Sequence, residues 1–169
     1  MKKVMTSFVT VLAFLCLSAS AYATTTKGLL VLLAKQASLQ AVKDHPGFYQ
    51  LTLKGVNPKV IYFSDRPART TGQIDMAKFV NEWTNGGFKK LPPNAMMEAV
   101  TLNAATKQLQ ANMTSYPMVL NNPVYMQKND ELSFEVKGLA NSSMTLATVQ
   151  QSDYVAVFID SVCISCIHG

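Results

Sequence analysis

Segments in which apolar and polar residues alternate recur along this chain, and this period of two constrains its fold more than any other feature. The clearest segment is 132–137, where leucine, phenylalanine and valine alternate with serine, glutamate and lysine. Residues 48–54 alternate in the same way, with Tyr49, Leu51 and Leu53 on one face. A period of two places successive side chains on opposite faces of a β-strand. Because turn signals separate such segments roughly every 8–15 residues, the pattern predicts an antiparallel sheet.

Continuous apolar runs predict a second kind of strand, one that lies in the middle of the sheet. Val60–Phe63 is entirely apolar and β-favouring, which predicts a central strand covered on both faces. Residues 29–33 predict a buried strand, and residues 154–159 predict another central strand. We expect 48–54 and 60–63 to pair as a hairpin. The Asn121-Asn122-Pro123 segment predicts a bend or bulge at a sheet edge, since proline cannot donate to a β-ladder.

One segment has helical spacing instead. Four large apolar residues fall at positions i, i+3, i+4 and i+7, on one face of a helix: Met76, Phe79, Val80 and Trp83. Asp75 is suited to cap the start of this helix, and Asn85-Gly86-Gly87 is suited to end it. The predicted fold class is therefore α+β: a mostly antiparallel β-sheet or sandwich with one main amphipathic helix at about residues 75–85.

The first 23 residues have the pattern of a secretory signal peptide. Lys2 and Lys3 form a positive start, residues 9–17 are apolar, and Ala21-Tyr22-Ala23 is a small-x-small cleavage site. The apolar run is shorter than the roughly 20 residues that span a bilayer. We expect cleavage after Ala23, export to the periplasm or the cell exterior, and one globular domain over residues 24–169.

Charge narrows the class of partner. The chain carries a formal net charge of +5, and removing Lys2 and Lys3 with the leader lowers it to +3. No run of lysine and arginine follows that would track a phosphate backbone, so we expect no nucleic-acid partner. No later apolar segment is long enough to cross a membrane, so we expect no membrane span after cleavage.

The first candidate site is the charged cluster that follows the run at 60–63. We name Ser64, Asp65, Arg66 and Arg69 as candidate ligand-binding residues. A guanidinium near the end of a strand is suited to bind an anionic group. The alternative is that a carboxylate–guanidinium pair fixes the junction between strand and helix, with Pro67 stiffening it. Catalysis is not predicted, because Ser64 has no histidine near it in sequence to activate it.

The residues around this cluster carry a resemblance. The pattern Tyr-Phe-Ser-Asp-Arg-Pro-x-Arg at 62–69, followed by Gly72, Phe79, Trp83, Phe88, Pro92-Pro93-Asn94-Ala95 and Phe158-Ile159-Asp160, resembles a family of uncharacterised exported bacterial proteins. The similarity covers about half of the chain beyond residue 23, from Gln50 to Ala95 and again near Tyr154. The resemblance implies a shared fold and implies no activity.

The second candidate site is the cysteine pair near the end of the chain. In an oxidising compartment, Cys163 and Cys166 predict a disulfide. Two thiolates with His168 suit zinc or copper, although a fourth ligand is missing. A thiol-redox pair is a further alternative, but redox Cys-x-x-Cys motifs usually begin a helix, whereas this one follows a strand.

These observations favour a small exported protein without enzymatic activity that binds a small ligand or another protein, with no cofactor. The first alternative is a metal-binding or thiol-redox protein that uses Cys163, Cys166 and His168. The second alternative is a hydrolase whose site is assembled from distant loops and cannot be identified from sequence.

Overall fold

The computed structural model describes residues 27–64, 66–67, 69–100, 102, 106, 113–140, 142 and 146–163. As predicted, the described chain is mostly antiparallel β-sheet. The main amphipathic helix predicted at about residues 75–85 is not confirmed, since the one α-helix of the described residues is short. The strands are β1 (Lys27–Ala41), β2 (Phe48–Lys54), β3 (Lys59–Ser64), β4 (Thr71–Asp75), β5 (Asn94–Val100), β6 (Thr114–Met126), β7 (Glu131–Gly138) and β8 (Val149–Cys163). The helix α1 spans Met76–Asn81, and a short 3-10 turn spans Gln127–Asn129.

The long strand β1 organises the sheet. Along one side it pairs with β8. On its other side the first half pairs with β3 and the second half pairs with β2. Since β2 also pairs with β7, the strands β1, β2, β7, β6, β5 and β8 close into a ring. Closure gives each of these strands at least two neighbours, and β1 has three, whereas β4 is attached through β3 alone and has a free edge among the described strands.

Both partners in the β1–β8 pair change the face that they bury. In β1, Leu30 and Leu32 are buried in the first half, and Ala37 and Leu39 in the second half. An even-to-odd change in buried positions means that the strand turns over between them, because side chains alternate with period two. β8 turns over at the matching place, where Tyr154 has a φ of +46°. One 15-residue strand therefore serves both the ring and the β3–β4 extension.

An aromatic cluster attaches the helical segment to the core. The Trp83 ring lies 5.6 Å from Phe79, 4.8 Å from Phe88 and 5.8 Å from Phe134 of β7, measured between ring centroids. All four residues are buried. The helix is shorter than predicted, because it ends at Asn81 and the chain continues in turns to residue 90. Asp75 occupies the N-cap position, but its carboxylate accepts a hydrogen bond from Lys59 Nζ at 2.6 Å instead of capping the helix.

Two further sequence predictions about the strands are confirmed, and one is wrong. β2 and β7 confirm the alternating strands, and a register shift between Asn121 and Val124 confirms the bulge in β6. The hairpin between residues 48–54 and 60–63 is wrong, because β2 pairs with β1 and β7 while β3 pairs with β1 and β4. Among the described residues, no helix is long and apolar enough to cross a membrane.

Candidate functional site

The charged cluster at 64–69 lies in the connection between β3 and β4, so it does not join a strand directly to the helix as predicted. Ser64 closes this connection. Its Oγ accepts a hydrogen bond from the Thr70 N–H at 2.6 Å and lies 2.8 Å from Thr70 Oγ1, and its N–H donates to the Thr70 carbonyl at 2.7 Å. The Ser64 hydroxyl is thus part of the hairpin's own hydrogen bonding.

Of the other three members of the cluster, the structure describes the two arginines and not the aspartate. Arg66 and Arg69 are exposed, and Arg69 has a φ of +48° in the tight connection. Asp65 lies outside the described residues, so its predicted pairing with an arginine stays a prediction. The described geometry supports a structural role for Ser64 and leaves the ligand-binding role of the arginines a prediction.

The cysteine site lies largely beyond the described residues. Cys163 is the last residue of β8, where its backbone is paired with Lys27 of β1. Cys166 and His168 lie outside the described part of the chain, so the disulfide, metal and redox interpretations all stay predictions. Within the described part, no group of three or more His, Cys, Asp or Glu residues is placed to hold a metal ion.

A surface that sequence reasoning missed lies on the outside of the sheet, across β5, β8, β1 and β3. Residues paired across neighbouring strands share a face of the sheet. The pairs Met96–Phe158, Phe158–Val31 and Val31–Ile61 therefore form one apolar row across four strands. The pairs Leu29–Phe63 and Leu33–Ala156 extend the row on either side. We call this set the outer face: Leu29, Val31, Leu33, Ile61, Phe63, Met96, Ala156 and Phe158.

The outer face is accessible rather than buried. Phe63 is 49% exposed, Leu33 is 40% exposed and Phe158 is 36% exposed, and the other five members are half-buried. Strand spacing gives it a width of about 14 Å across four strands and a length of about 13 Å from Leu29 to Leu33. Contiguous apolar surface of this kind often marks an interaction site.

Two recesses adjoin the outer face. The first, about 300 Å³ in volume, is lined by Phe88, Leu91, Pro92, Pro93, Asn94 and Asp160; we call it the proline pocket. Leu91 is 81% exposed at its mouth. The second, about 410 Å³, opens beside Leu33 where β2 and β3 diverge from β1, and it is also lined by Lys35, Gly55 and Asp130. The outer face thus has a recess at each of its two ends.

Polar residues border the outer face. Lys59 and Asp75 form an exposed ion pair beyond Ile61 on the β3 side. Glu98 lies on the β5 side, where its two carboxylate oxygens share the single hydroxyl proton of Ser115, whose Oγ lies 2.7 and 2.9 Å from them. An apolar centre with a polar rim is the usual anatomy of a protein–protein interface.

The sequence did contain a signal for this surface. The runs at 29–33, 60–63 and 154–159 are apolar at consecutive positions, which requires cover on both faces of each strand. The core covers one face, where Leu30, Val60 and Val157 are buried. Within the described residues nothing buries the other face, so the prediction that Val60–Phe63 is covered on both sides is wrong for Phe63.

No protein-family model, no curated protein and no solved structure matches this chain. The resemblance to exported bacterial proteins therefore stays a prediction.

Proposed function

We propose that this chain is an exported, non-enzymatic binding protein whose outer face docks another protein chain. The observation that carries the proposal is the row Met96–Phe158–Val31–Ile61, which is apolar on four adjacent strands and accessible to solvent. Soluble proteins seldom leave such a row exposed, because burying apolar surface stabilises by about 25 cal/mol per Å².

The shape of the surface favours a protein partner over a small molecule. Small-molecule sites are concave and enclose most of their ligand. The outer face follows the pleat of four strands, and its long dimension is set by strand length. Its rim carries charged groups of both signs, Lys59, Asp75 and Glu98. A broad apolar surface with such a rim suits a second sheet or helix that also presents apolar side chains.

Export is the second part of the proposal and depends on residues 1–23. It predicts that the protein recovered from outside the cytoplasm begins at Thr24. Amino-terminal sequencing of that protein tests this point. Recovery of a chain that still begins at Met1, or that stays in the cytoplasm, would remove the export proposal without touching the outer face.

Docking is tested by photo-crosslinking in the expressing cell. A benzophenone amino acid replaces Phe158 or Phe63 on the outer face, and Val124 serves as the matched control. Val124 is 55% exposed on β6 and lies outside the outer face. We expect protein adducts from positions 158 and 63, at least tenfold more than from position 124.

A second substitution makes the crosslinking result specific. Val31→Lys places an ammonium at the centre of the outer face, which a docked apolar surface must then desolvate. We expect Val31→Lys to abolish the adducts at position 158. Thr52→Lys, at a half-buried strand position on β2, is the control and leaves them unchanged. Equal adducts from positions 158 and 124, or none from either outer-face position, contradict the proposed function.

A further inference from the structure

The outer face has an internal correspondence between its two sides. A line drawn between β1 and β8 divides it into a β8–β5 side and a β1–β3 side. In the central row, Phe158 and Met96 on one side correspond to Val31 and Ile61 on the other. Consider a two-fold axis that runs along this line, parallel to the strands, between two copies whose outer faces meet. Rotation by 180° about it sets β1 of one copy against β8 of the other and β3 against β5. Each row of one copy then faces the same row of the other.

The central row is apolar under this rotation. Val31 of each copy faces Phe158 of the other, and Ile61 faces Met96. Large side chains thus meet smaller or flexible ones, which favours close packing of two sheets about 10 Å apart. Each contact occurs twice, as in an isologous dimer.

The row that contains Phe63 pairs a projection with a recess. Leu29 and Phe63 are paired in this row on the β1–β3 side. Ala95 is paired with Ile159, so Asn94 and Asp160 occupy the corresponding positions on the β5–β8 side. Both belong to the proline pocket, whose volume of about 300 Å³ exceeds that of a phenyl ring. The rotation places the 49% exposed Phe63 ring of each copy over the other copy's proline pocket.

The row on the other side of the centre pairs opposite charges. Glu98 is paired with Ala156 on the β5–β8 side, and Ala156 with Leu33. Lys59 lies on the same face of β3, two residues from Ile61 and beyond the last β1–β3 pair, Val31–Ile61, so it belongs to the rim at this end. The rotation brings Lys59 of each copy near Glu98 of the other. Rim pairs of this kind mainly fix register and exclude other orientations.

We propose, resting on the docking function above, that the partner on the outer face is a second copy of this chain. The central row is apolar on both sides of one axis, and the flanking rows set Phe63 over the proline pocket and Lys59 near Glu98, while the same rotation sets Leu29 opposite the exposed Asp160. The footprint is about 14 Å by 20 Å including the rim. Over both copies that is roughly 560 Å² in projection, below the roughly 1,200–2,000 Å² of standard specific interfaces, so we expect a weak, transient dimer with a dissociation constant of about 100 μM.

Sedimentation equilibrium of the purified protein from about 1 to 200 μM tests the inference. We expect a reversible monomer–dimer equilibrium. Phe63→Ser removes the projecting ring and should weaken the dimer at least tenfold, while Val124→Ser, at a similarly exposed position, should leave it unchanged. Lys59→Glu should weaken it by placing two acids near each other, and adding Glu98→Lys in the same chain should restore at least part of the loss.

The outcomes separate the two proposals. A wild-type protein that stays monomeric at 200 μM, or a dimer unaffected by Phe63→Ser, overturns the second-copy inference. If the crosslinked adducts at position 158 then contain a different protein, the docking function holds and only the identity of the partner is wrong. If the adducts have twice the mass of this chain and sedimentation shows the dimer, both proposals are supported.

Discussion

At the scale of single residues, the packing of Tyr62 over Gly72 ties β4 to the sheet. The two residues are directly paired between β3 and β4. A Cβ at position 72 would lie 2.5 Å from Tyr62 Oη and 2.8 Å from its Cζ, well inside van der Waals contact. The half-buried ring thus occupies the space that a side chain at 72 would need.

We expect Gly72→Ala to destabilise the fold by about 1–2 kcal/mol, because the Tyr62 ring must leave its position on the core. Urea unfolding measures the change. Gly138→Ala is the matched control, since its Cβ would meet Leu146 at an ordinary 3.7 Å. Combining Gly72→Ala with Tyr62→Ser should largely remove the effect of the alanine. Equal stabilities for the two single variants would contradict the packing argument.

Tyr125 gives the fold a pH dependence in the alkaline range. Burial, with a smaller contribution from the Asp130 carboxylate, raises the pKa of Tyr125 above its ordinary value. The folded protein therefore keeps the phenol protonated at a pH where the unfolded chain has begun to lose the proton. Stability attributable to this group is present below about pH 10 and falls as pH rises through the pKa of the folded state.

We expect Asp130→Asn to lower the pKa of Tyr125 only partly, because burial is the larger cause. Asparagine suits the left-handed backbone at 130, where φ is +48°. Phenolate absorbance, taken as the difference from the Tyr125→Phe variant, measures the pKa. A titration that Asp130→Asn leaves unchanged would remove the carboxylate from the explanation, and an ordinary pKa in the parent protein would remove both causes.

At the scale of elements, alternation predicted strands better than it predicted their partners. β2 and β7 could be identified from the sequence because one face of each strand is buried and the other is more exposed to solvent. The partner of β2 was not, since a two-residue period says which face is covered and nothing about which strand lies alongside. The reversal of β1 between Leu32 and Ala37 depends on its pairing with β8, a contact remote in sequence.

Continuous apolar runs indicate both which strands lie inside the sheet and which faces of those strands are apolar. Val60–Phe63 does lie between two strands, as predicted, and Val60 is fully buried. The run also makes Phe63 apolar on the opposite face, where the described chain leaves it 49% exposed. A sequence cannot distinguish cover supplied by its own chain from cover supplied by another molecule, because both select the same residue types.

The helix illustrates how packing replaces intrinsic stability. A helix of six residues is too short to persist alone, so the Trp83 cluster must hold it. We expect Phe88→Ala, at a 4% exposed position, to destabilise by about 3–5 kcal/mol and to shift the emission of the single tryptophan to longer wavelength.

The matched control for the Phe88 substitution is Phe63→Ala, measured below 1 μM so that dimerisation does not contribute. The same side chain is removed from an exposed position, and we expect a loss well under half of that for Phe88→Ala. Similar losses for both variants would mean that the aromatic cluster does not hold the helical segment.

At the scale of the whole molecule, ring closure could not be predicted from the sequence. It requires β1 to pair with β2 in one half and with β3 in the other, and β5 to pair with β8 across more than fifty residues of chain. Every strand of the ring has at least two neighbours, so opening one requires breaking at least two ladders. The β3–β4 hairpin lies outside the ring, and β4 has one ladder, of five residue pairs.

This difference predicts the order in which backbone amides exchange with solvent. We expect β4 to exchange through local opening and the ring strands β1 and β8 through global unfolding, since local stability follows the number of interactions that must be broken. Native-state hydrogen exchange at increasing denaturant measures the two opening energies. Gly72→Ala should lower the free energy of opening of β4 by more than it lowers the free energy of any local opening within the ring.

The same experiment connects the hairpin to the outer face. Ile61 and Phe63 lie on β3, so a second copy docked there opposes opening of the hairpin by mass action. Protection of β3 and β4 should therefore rise with protein concentration through the micromolar range, while Phe63→Ser removes that rise and leaves the ring unaffected. If β4 exchanged together with β1 at every concentration, hairpin and ring would form one cooperative unit, and closure of the ring would not determine how this molecule opens.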